Sequence, residues 1–206
     1  MLKKYAPKFS KNIKSFLGRI FSKIPISPNS WTFLSLLFAI FGFYALYSKN
    51  LLVGIILFSI SGLIDAIDGA VAQHQNKKTH LGAYLDGIID RIVEALLLIG
   101  LMFFEIPEFY IPGYIWLTLL LFFGSAMTSF AKAYADHQKV IPTIKIEKMD
   151  GLLERAERII LIITGMIFGY IKTPEYITYF IIIAVILSII TFTQRINYTI
   201  KNANRG

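Results

Sequence analysis

Ser61–Arg91 reads SGLIDAIDGAVAQHQNKKTHLGAYLDGIIDR, and the rest of the chain is organised around it. Four aspartates stand in it, Asp65, Asp68, Asp86 and Asp90, while none of the 64 residues before Asp65 is acidic. Long apolar runs of membrane-spanning character flank both pairs. Ionisable residues at such depth are costly to desolvate and mark functional sites. Asp65 and Asp68 are spaced i, i+3, and Asp86 and Asp90 i, i+4, so on helices each pair shares one face. The polar connector between them, roughly His74 to His80, predicts a turn between antiparallel helices. With Lys77 as its centre, Asp68 lies nine residues before and Asp86 nine after; Asp65 lies twelve before and Asp90 thirteen after. At a rise of about 1.5 Å per residue, the carboxylates meet at matching heights across the hairpin. Gly69, Gly82 and Gly87 beside them predict a close approach of the two backbones.

Four converging carboxylates do not all ionise near a bilayer unless positive charge sits among them. Hard oxygen ligands select Mg2+, Mn2+ or Ca2+. Two Mg2+ ions would balance four aspartates and leave open positions for a diphosphate. The alternative is that the four satisfy one another or pair with Lys77, Lys78 and Arg91, which leaves their desolvation cost without a purpose.

The composition sets the environment. The chain has 206 residues, 55% of them hydrophobic, and a mean hydropathy of +0.60, too apolar for an ordinary soluble domain. It has no cysteine, which excludes disulfides, a thiol nucleophile and a thiolate metal site. The net charge is +8. Its basic residues flank apolar runs, so the expected partners are membrane lipid headgroups and anionic substrates, not nucleic acid.

Residues 1–25 carry Lys3, Lys4, Lys8, Lys11, Lys14, Arg19 and Lys23, with Phe9, Ile13, Phe16, Leu17, Ile20 and Phe21 at helical spacing. They predict an amphipathic helix lying on the membrane surface, not a cleaved secretory signal. Pro25 and Pro28 end it, and Trp31 is expected at the membrane interface. An all-α bundle of six transmembrane helices is then expected within 31–195, at roughly 31–47, 52–73, 81–104, 114–136, 152–170 and 175–194. The whole of 1–206 reads as one membrane domain. Nearly all Lys and Arg fall in the N-terminus, the 74–80 loop, the 137–151 loop and the C-terminal tail. The positive-inside rule therefore places both termini and the aspartate hairpin's turn on the cytoplasmic side.

Lys132, Arg155, Arg158 and Arg195 form a second constellation at the cytoplasmic ends of the last three spans. Arg forks bind phosphate oxygens bidentately and Lys supplies a point charge, so they predict a phosphate pocket. The alternatives are an intrahelical Glu154–Arg158 ion pair and a snorkelling anchor at Arg195. A carboxylate–metal centre and a basic pocket call for two anionic substrates, one of them a lipid.

Asp65, Asp68, Gly69, Ala72, Gly82, Asp86 and Asp90 stand at the spacing D-x-x-D-G-x-x-A-R, eight residues, G-x-x-x-D-x-x-x-D, which resembles the signature of the CDP-alcohol phosphotransferase family. Gln73 is the departure, where that family has Arg. Ser129–Asp136 (SFAKAYAD), Glu154–Arg158 (ERAER) and Gln194-Arg195 are similar to segments of its phosphatidylinositol-phosphate and archaetidylinositol-phosphate synthase branch. Tyr134 departs there from an Arg. The resemblance implies two Mg2+ or Mn2+ ions held by Asp65, Asp68 and Asp86, with Asp90 near the second ion and acting as general base. It places Asn29, Thr32, Asp65, Gly69, Gln73 and Thr79 about a CDP-lipid, CDP-archaeol or CDP-diacylglycerol. Lys132, Arg158 and Arg195 would hold the phosphate of inositol 1-phosphate, and the enzyme would be a homodimer. Transfer of the lipid phosphate to inositol 1-phosphate with release of CMP is the expected activity. Other acceptors (glycerol phosphate, serine), a CDP-inositol donor and, outside the family, a cation transporter are the alternatives. Gln73 lacks the charge that Arg brings to a diphosphate, and Lys77 or Lys78 would have to supply it.

Overall fold

The computed structural model of the chain describes residues 15–24, 26–75 and 79–203. Among them the secondary structure is helical, with an isolated bridge between Phe109 and Ile111 and no strand. The chain divides into two compact units between Phe104 and Glu105.

The first unit contains α1 (Pro28–Tyr47), α2 (Leu51–His74) and α3 (His80–Phe104). Ser27 starts α1: its Oγ accepts from Ser30 N at 3.2 Å, taking one of the donors a helix start leaves unpaired. Asn50 starts α2 in the same way, accepting from Val53 N at 3.2 Å. Between them Lys49 adopts φ 62°. Its Nζ donates to Phe104 O at 3.3 Å, placing a cation on the carbonyl end of α3. Leu46, fully buried, holds the three helices together. A Cβ added at Gly54 of α2 would lie 2.5 Å from Leu46, and one at Gly100 of α3 2.9 Å from it. Small residues let the helices approach where lipid offers no hydrophobic drive to association.

Residues 15–21 are helical, and the segment to Ile24 packs across the C-terminal half of α2. Leu17, Phe21 and Ile24 cover Trp31, Ile64, Ile67 and Val71. Gly18 passes so near α2 that an added Cβ would sit 2.8 Å from Ala70 O. Trp31 is accordingly only 6% exposed, edge-on to Phe21 at 5.8 Å. Phe9 and Ile13, with most of the lysines of the predicted amphipathic helix, lie outside the described residues.

The second unit contains α4 (Gly113–His137), α5 (Thr143–Glu147), α6 (Arg155–Ile171) and α7 (Glu175–Asn202). The middle of α4, Leu120–Met127, is π-helical, a form concentrated at functional sites. The 139–150 connector is not a bare loop. It contains α5, and its Ile141, Ile146 and Met149 form a small core with Ala135 of α4 that packs against Tyr198. Gly151–Glu154 is strapped to α7. Leu152 N donates to Gln194 Oε1 and Leu153 N to Thr191 Oγ1, each at 2.9 Å.

Among the described residues, four helices are long and apolar enough to cross a membrane: Asn29–Tyr47, Leu51–His74, Gly113–His137 and Glu175–Asn202. Two of the expected spans differ from these. Helix α3 has 25 residues but carries Asp86, Asp90, Arg91 and Glu94. Helix α6 has 17 residues, a length of about 26 Å. It begins at Arg155, after its predicted start, because the strap residues spend their N–H groups on α7. Helix α7 runs past Arg195 to Asn202 because Ile196 and Ile200 continue its apolar spacing.

Candidate functional site

In the first unit, α2 carries Asp65 and Asp68 and α3 carries Asp86, and the packing of both helices against α1 brings these carboxylates together. Each offers one oxygen, and the three oxygens lie within 4.8 Å of one another. Asp68 is buried, while Asp65 and Asp86 are half-buried. Thr32 Oγ1 donates to Asp68 Oδ2 at 2.7 Å. Three carboxylate oxygens at this separation, in an all-oxygen donor set, fit a hard divalent cation.

Asp90 lies one turn beyond Asp86 and outside this group of three. Its Oδ2 is 3.5 Å from Arg91 Nη1, so the pairing foreseen as an alternative for the whole cluster involves Asp90. One turn further, Glu94 is fully buried, a second carboxyl inside the helix bundle. The sequence signal for it was its i+4 spacing from Asp90, and it went unread.

The glycines divide into two kinds. A Cβ at Gly69 or Gly87 would meet nothing within 4 Å, so these two open space beside Asp68 and Asp86; neither brings the helices closer. Only Gly82 is crowded, 2.9 Å from Thr79 Oγ1 and 3.2 Å from Asn29 Oδ1. Asn29 and Thr79 are thus brought together at the start of α3. Thr79 also caps that helix, its Oγ1 accepting from Gly82 N at 3.0 Å. Gln73 is exposed near the end of α2. Lys77 and Lys78 lie outside the described residues.

The basic constellation belongs to the second unit. Arg158 and Arg195 are only 3% and 6% exposed. Arg195 ties three elements together. Its Nη1 donates to Thr128 O of α4 at 2.6 Å, and its Nη2 donates to Glu154 Oε1 and Oε2 at 3.0 and 2.8 Å. Glu154 also accepts from Gly151 N at 2.7 Å, fixing the strap. Lys132 Nζ reaches Met149 O at 3.4 Å. A Cβ at Gly124, within the π-helical turn, would lie 3.1 Å from both Arg158 Cδ and Ser188 Oγ, so the turn seats the buried arginine. Arg195 Nε and Ser188 Oγ are buried with no hydrogen-bond partner among the described residues. Ser188 carries no sequence signal beyond lying on the same face as Arg195, seven residues away. Buried polar atoms are ordinarily hydrogen-bonded, so these two mark the places on α7 where a further partner fits.

Comparisons with known proteins place the chain in a family. The sequence model of CDP-alcohol phosphatidyltransferases matches residues 25–199. The archaetidylinositol phosphate synthase of Pyrococcus horikoshii is 30% identical over 206 residues, covering 100% of both chains. That of Methanothermobacter thermautotrophicus is 31% identical over 192 residues, covering 92% of this chain and 91% of its own. The fold is shared with the phosphatidylinositol phosphate synthase of Mycobacterium tuberculosis. The structure of that protein with CDP-DAG bound superposes with a TM-score of 0.73 at 23% identity, covering 91% of this chain and 94% of its own. Its complex with manganese and citrate gives 0.75 at 22%, covering 93% and 90%. A carboxylate group at the family's motif positions, an all-helical fold rich in membrane-length helices and a match over most of the chain lead to one assignment: the protein is a multi-pass membrane transferase and belongs to the CDP-alcohol phosphatidyltransferase family.

Proposed function

We propose that the enzyme transfers the phosphate-linked lipid of a CDP-lipid, CDP-archaeol in the first instance, to inositol 1-phosphate and releases CMP. The reading is carried by the three converging carboxylates at the D-x-x-D-G and G-x-x-x-D positions. It is supported by the relatives named archaetidylinositol phosphate synthase. Asp65, Asp68 and Asp86 would hold two divalent cations, Mg2+ or Mn2+, with Asp90 beside the second. Bound there, the cations would neutralise the diphosphate and stabilise the charge that develops on it. Asn29, Thr79 and Gln73 would line the nucleotide site, and the open space at Gly69 would receive part of it.

Asp90 takes the proton from an inositol hydroxyl. The freed oxygen attacks the β-phosphorus of the donor, an O–P bond forms to the acceptor, and the anhydride bond breaks. CMP leaves with that electron pair. Lys132, Arg155, Arg158 and Arg195 hold the acceptor's phosphate, and this positioning supplies much of the rate. Six membrane spans, with α3 and α6 added to the four apolar helices, would place both termini and the carboxylates at the cytoplasmic leaflet. A homodimer is part of the same reading.

The reading predicts that purified protein with CDP-archaeol and Mg2+ or Mn2+ releases CMP with inositol 1-phosphate. Glycerol phosphate and serine are expected to support at most a few per cent of that rate. CMP release of equal size with either alternative acceptor overturns the choice of inositol 1-phosphate.

Gly69→Leu tests the donor site separately. A Cβ at this position would meet nothing within 4 Å, and Leu is the better helix former, by about 0.7 kcal/mol. The variant is expected to melt at or above the wild-type temperature while its KM for CDP-lipid rises tenfold or more. An unchanged KM removes the donor from this space.

A further inference from the structure

We infer that Thr32 is a positioning residue for the cation site, acting through Asp68 and setting how tightly the carboxylate group binds a divalent metal. The inference rests on the reading that Asp65, Asp68 and Asp86 hold such an ion.

Threonines within helices usually turn their hydroxyl back on the preceding turn, where Oγ1 finds a carbonyl three or four residues earlier. Thr118, Thr164, Thr191 and Thr193 each donate to the carbonyl four residues back, at 2.7 to 2.9 Å. Thr178 of α7 donates instead to Pro107 O, 71 residues away. Thr32 Oγ1 likewise makes a contact between distant positions, donating to Asp68 Oδ2 of α2, a residue 36 positions away. Both side chains are 6% exposed, so water does not compete for the bond. A hydrogen bond to a carboxylate is charge-assisted and about twice as strong as a neutral one.

A second interhelical bond lies beside this contact. Ser35 Oγ, one turn along α1, donates to Thr32 O at 2.7 Å, and Ser61 Oγ of α2 donates to Ser35 O at 2.8 Å. Ser61 and Asp68 are seven residues apart on one face of α2, as Ser35 and Thr32 are one turn apart on α1. The result is a buried polar seam with one hydrogen bond from α2 to α1 and one from α1 to α2. It fixes the sliding of one helix on the other and ends on a carboxylate of the cation group.

Thr32 therefore does for Asp68 what a partner behind a metal-bound side chain does elsewhere. It restricts the rotation of the carboxylate, so that the group presents an oxygen toward Asp65 and Asp86 without paying the ordering cost when the ion arrives. Loss of such a partner weakens metal binding by about 10- to 100-fold. The hydroxyl proton is thereby donated to the protein, so Thr32 contributes to catalysis through Asp68 and not by donating to the nucleotide.

The experiment is direct Mn2+ titration of detergent-solubilised full-length protein, followed by electron paramagnetic resonance, without donor or acceptor. Thermal melting in EDTA is recorded alongside. The wild-type protein is expected to bind Mn2+. Thr32→Val keeps the shape and loses the hydroxyl; its Mn2+ dissociation constant is expected to rise 10- to 100-fold. Thr32→Ser restores the hydroxyl and is expected to restore the affinity. Ser61→Ala removes the other interhelical bond of the seam; it is expected to lower the melting temperature and leave the Mn2+ affinity at the wild-type value. Wild-type affinity in Thr32→Val overturns the role of Thr32 and spares the cation site. Equal loss in Thr32→Val and Ser61→Ala also overturns it, because general packing then accounts for the effect. Failure of the wild-type protein to bind Mn2+ overturns the cation reading and this inference with it.

Discussion

Asp86→Asn is expected to remove Mn2+ binding and CMP release together. The carboxylate of Asp86 contributes one of three oxygens grouped within 4.8 Å, and the other two come from one turn of α2. It is the only member on α3, so its loss opens the site on a whole side. Asn keeps the shape and a neutral oxygen but removes the charge that holds a hard cation. Removal of one group that stabilises transition-state charge costs about 10²- to 10³-fold in rate, and loss of the ion itself is expected to cost more. The same substitution relieves repulsion among three close carboxylates, so the variant is expected to melt no lower than wild type in EDTA. An active Asp86→Asn that still binds Mn2+ would sink the cation site.

Asp90→Asn is expected to fail differently. Asp90 stands apart from the group of three and contacts Arg91 at 3.5 Å. Its proposed work is removal of a proton from the attacking hydroxyl, a contribution of about 10²- to 10⁴-fold in rate. The turnover number falls by that factor, while Mn2+ affinity and the KM for CDP-lipid change little. The comparison with Asp86→Asn carries the information. If Asp90→Asn loses Mn2+ binding as completely, Asp90 is chiefly a ligand and the base lies elsewhere.

The helices around the aspartates could be read from the residues because local signals agree there. Polar residues collect at His74–His80, and the aspartates repeat at helical intervals. The convergence of Asp65, Asp68 and Asp86 follows from a hairpin and from arithmetic about its centre. What the sequence hid lies in contacts between distant positions. Nothing local to Thr32 points to Asp68, 36 residues on, and nothing local to Glu154 points to Arg195, 41 residues on. Arithmetic on chain positions fixes height along a helix but not rotation about it, so it does not tell that the group within 4.8 Å comprises Asp65, Asp68 and Asp86, with Asp90 one turn away. Glycine misled for a related reason. Absence of a side chain serves close packing at Gly54 and Gly100 and open space at Gly69 and Gly87, and only the neighbours decide which. The π-helical turn at Leu120–Met127 has no composition of its own, and it was invisible beforehand. Nothing local to Trp31 told that residues 15–24 pack over it.

The relation of the two sites to one reaction is best tested by following the acceptor itself. Purified protein is incubated with CDP-archaeol and inositol 1-phosphate labelled in its phosphate, with Mn2+ and separately with EDTA. Label in the lipid fraction and CMP in solution are measured in the same samples. The account predicts label entering the lipid fraction one for one with CMP, and neither appearing in EDTA. CMP formed without label in lipid, or transfer undiminished by EDTA, would contradict it.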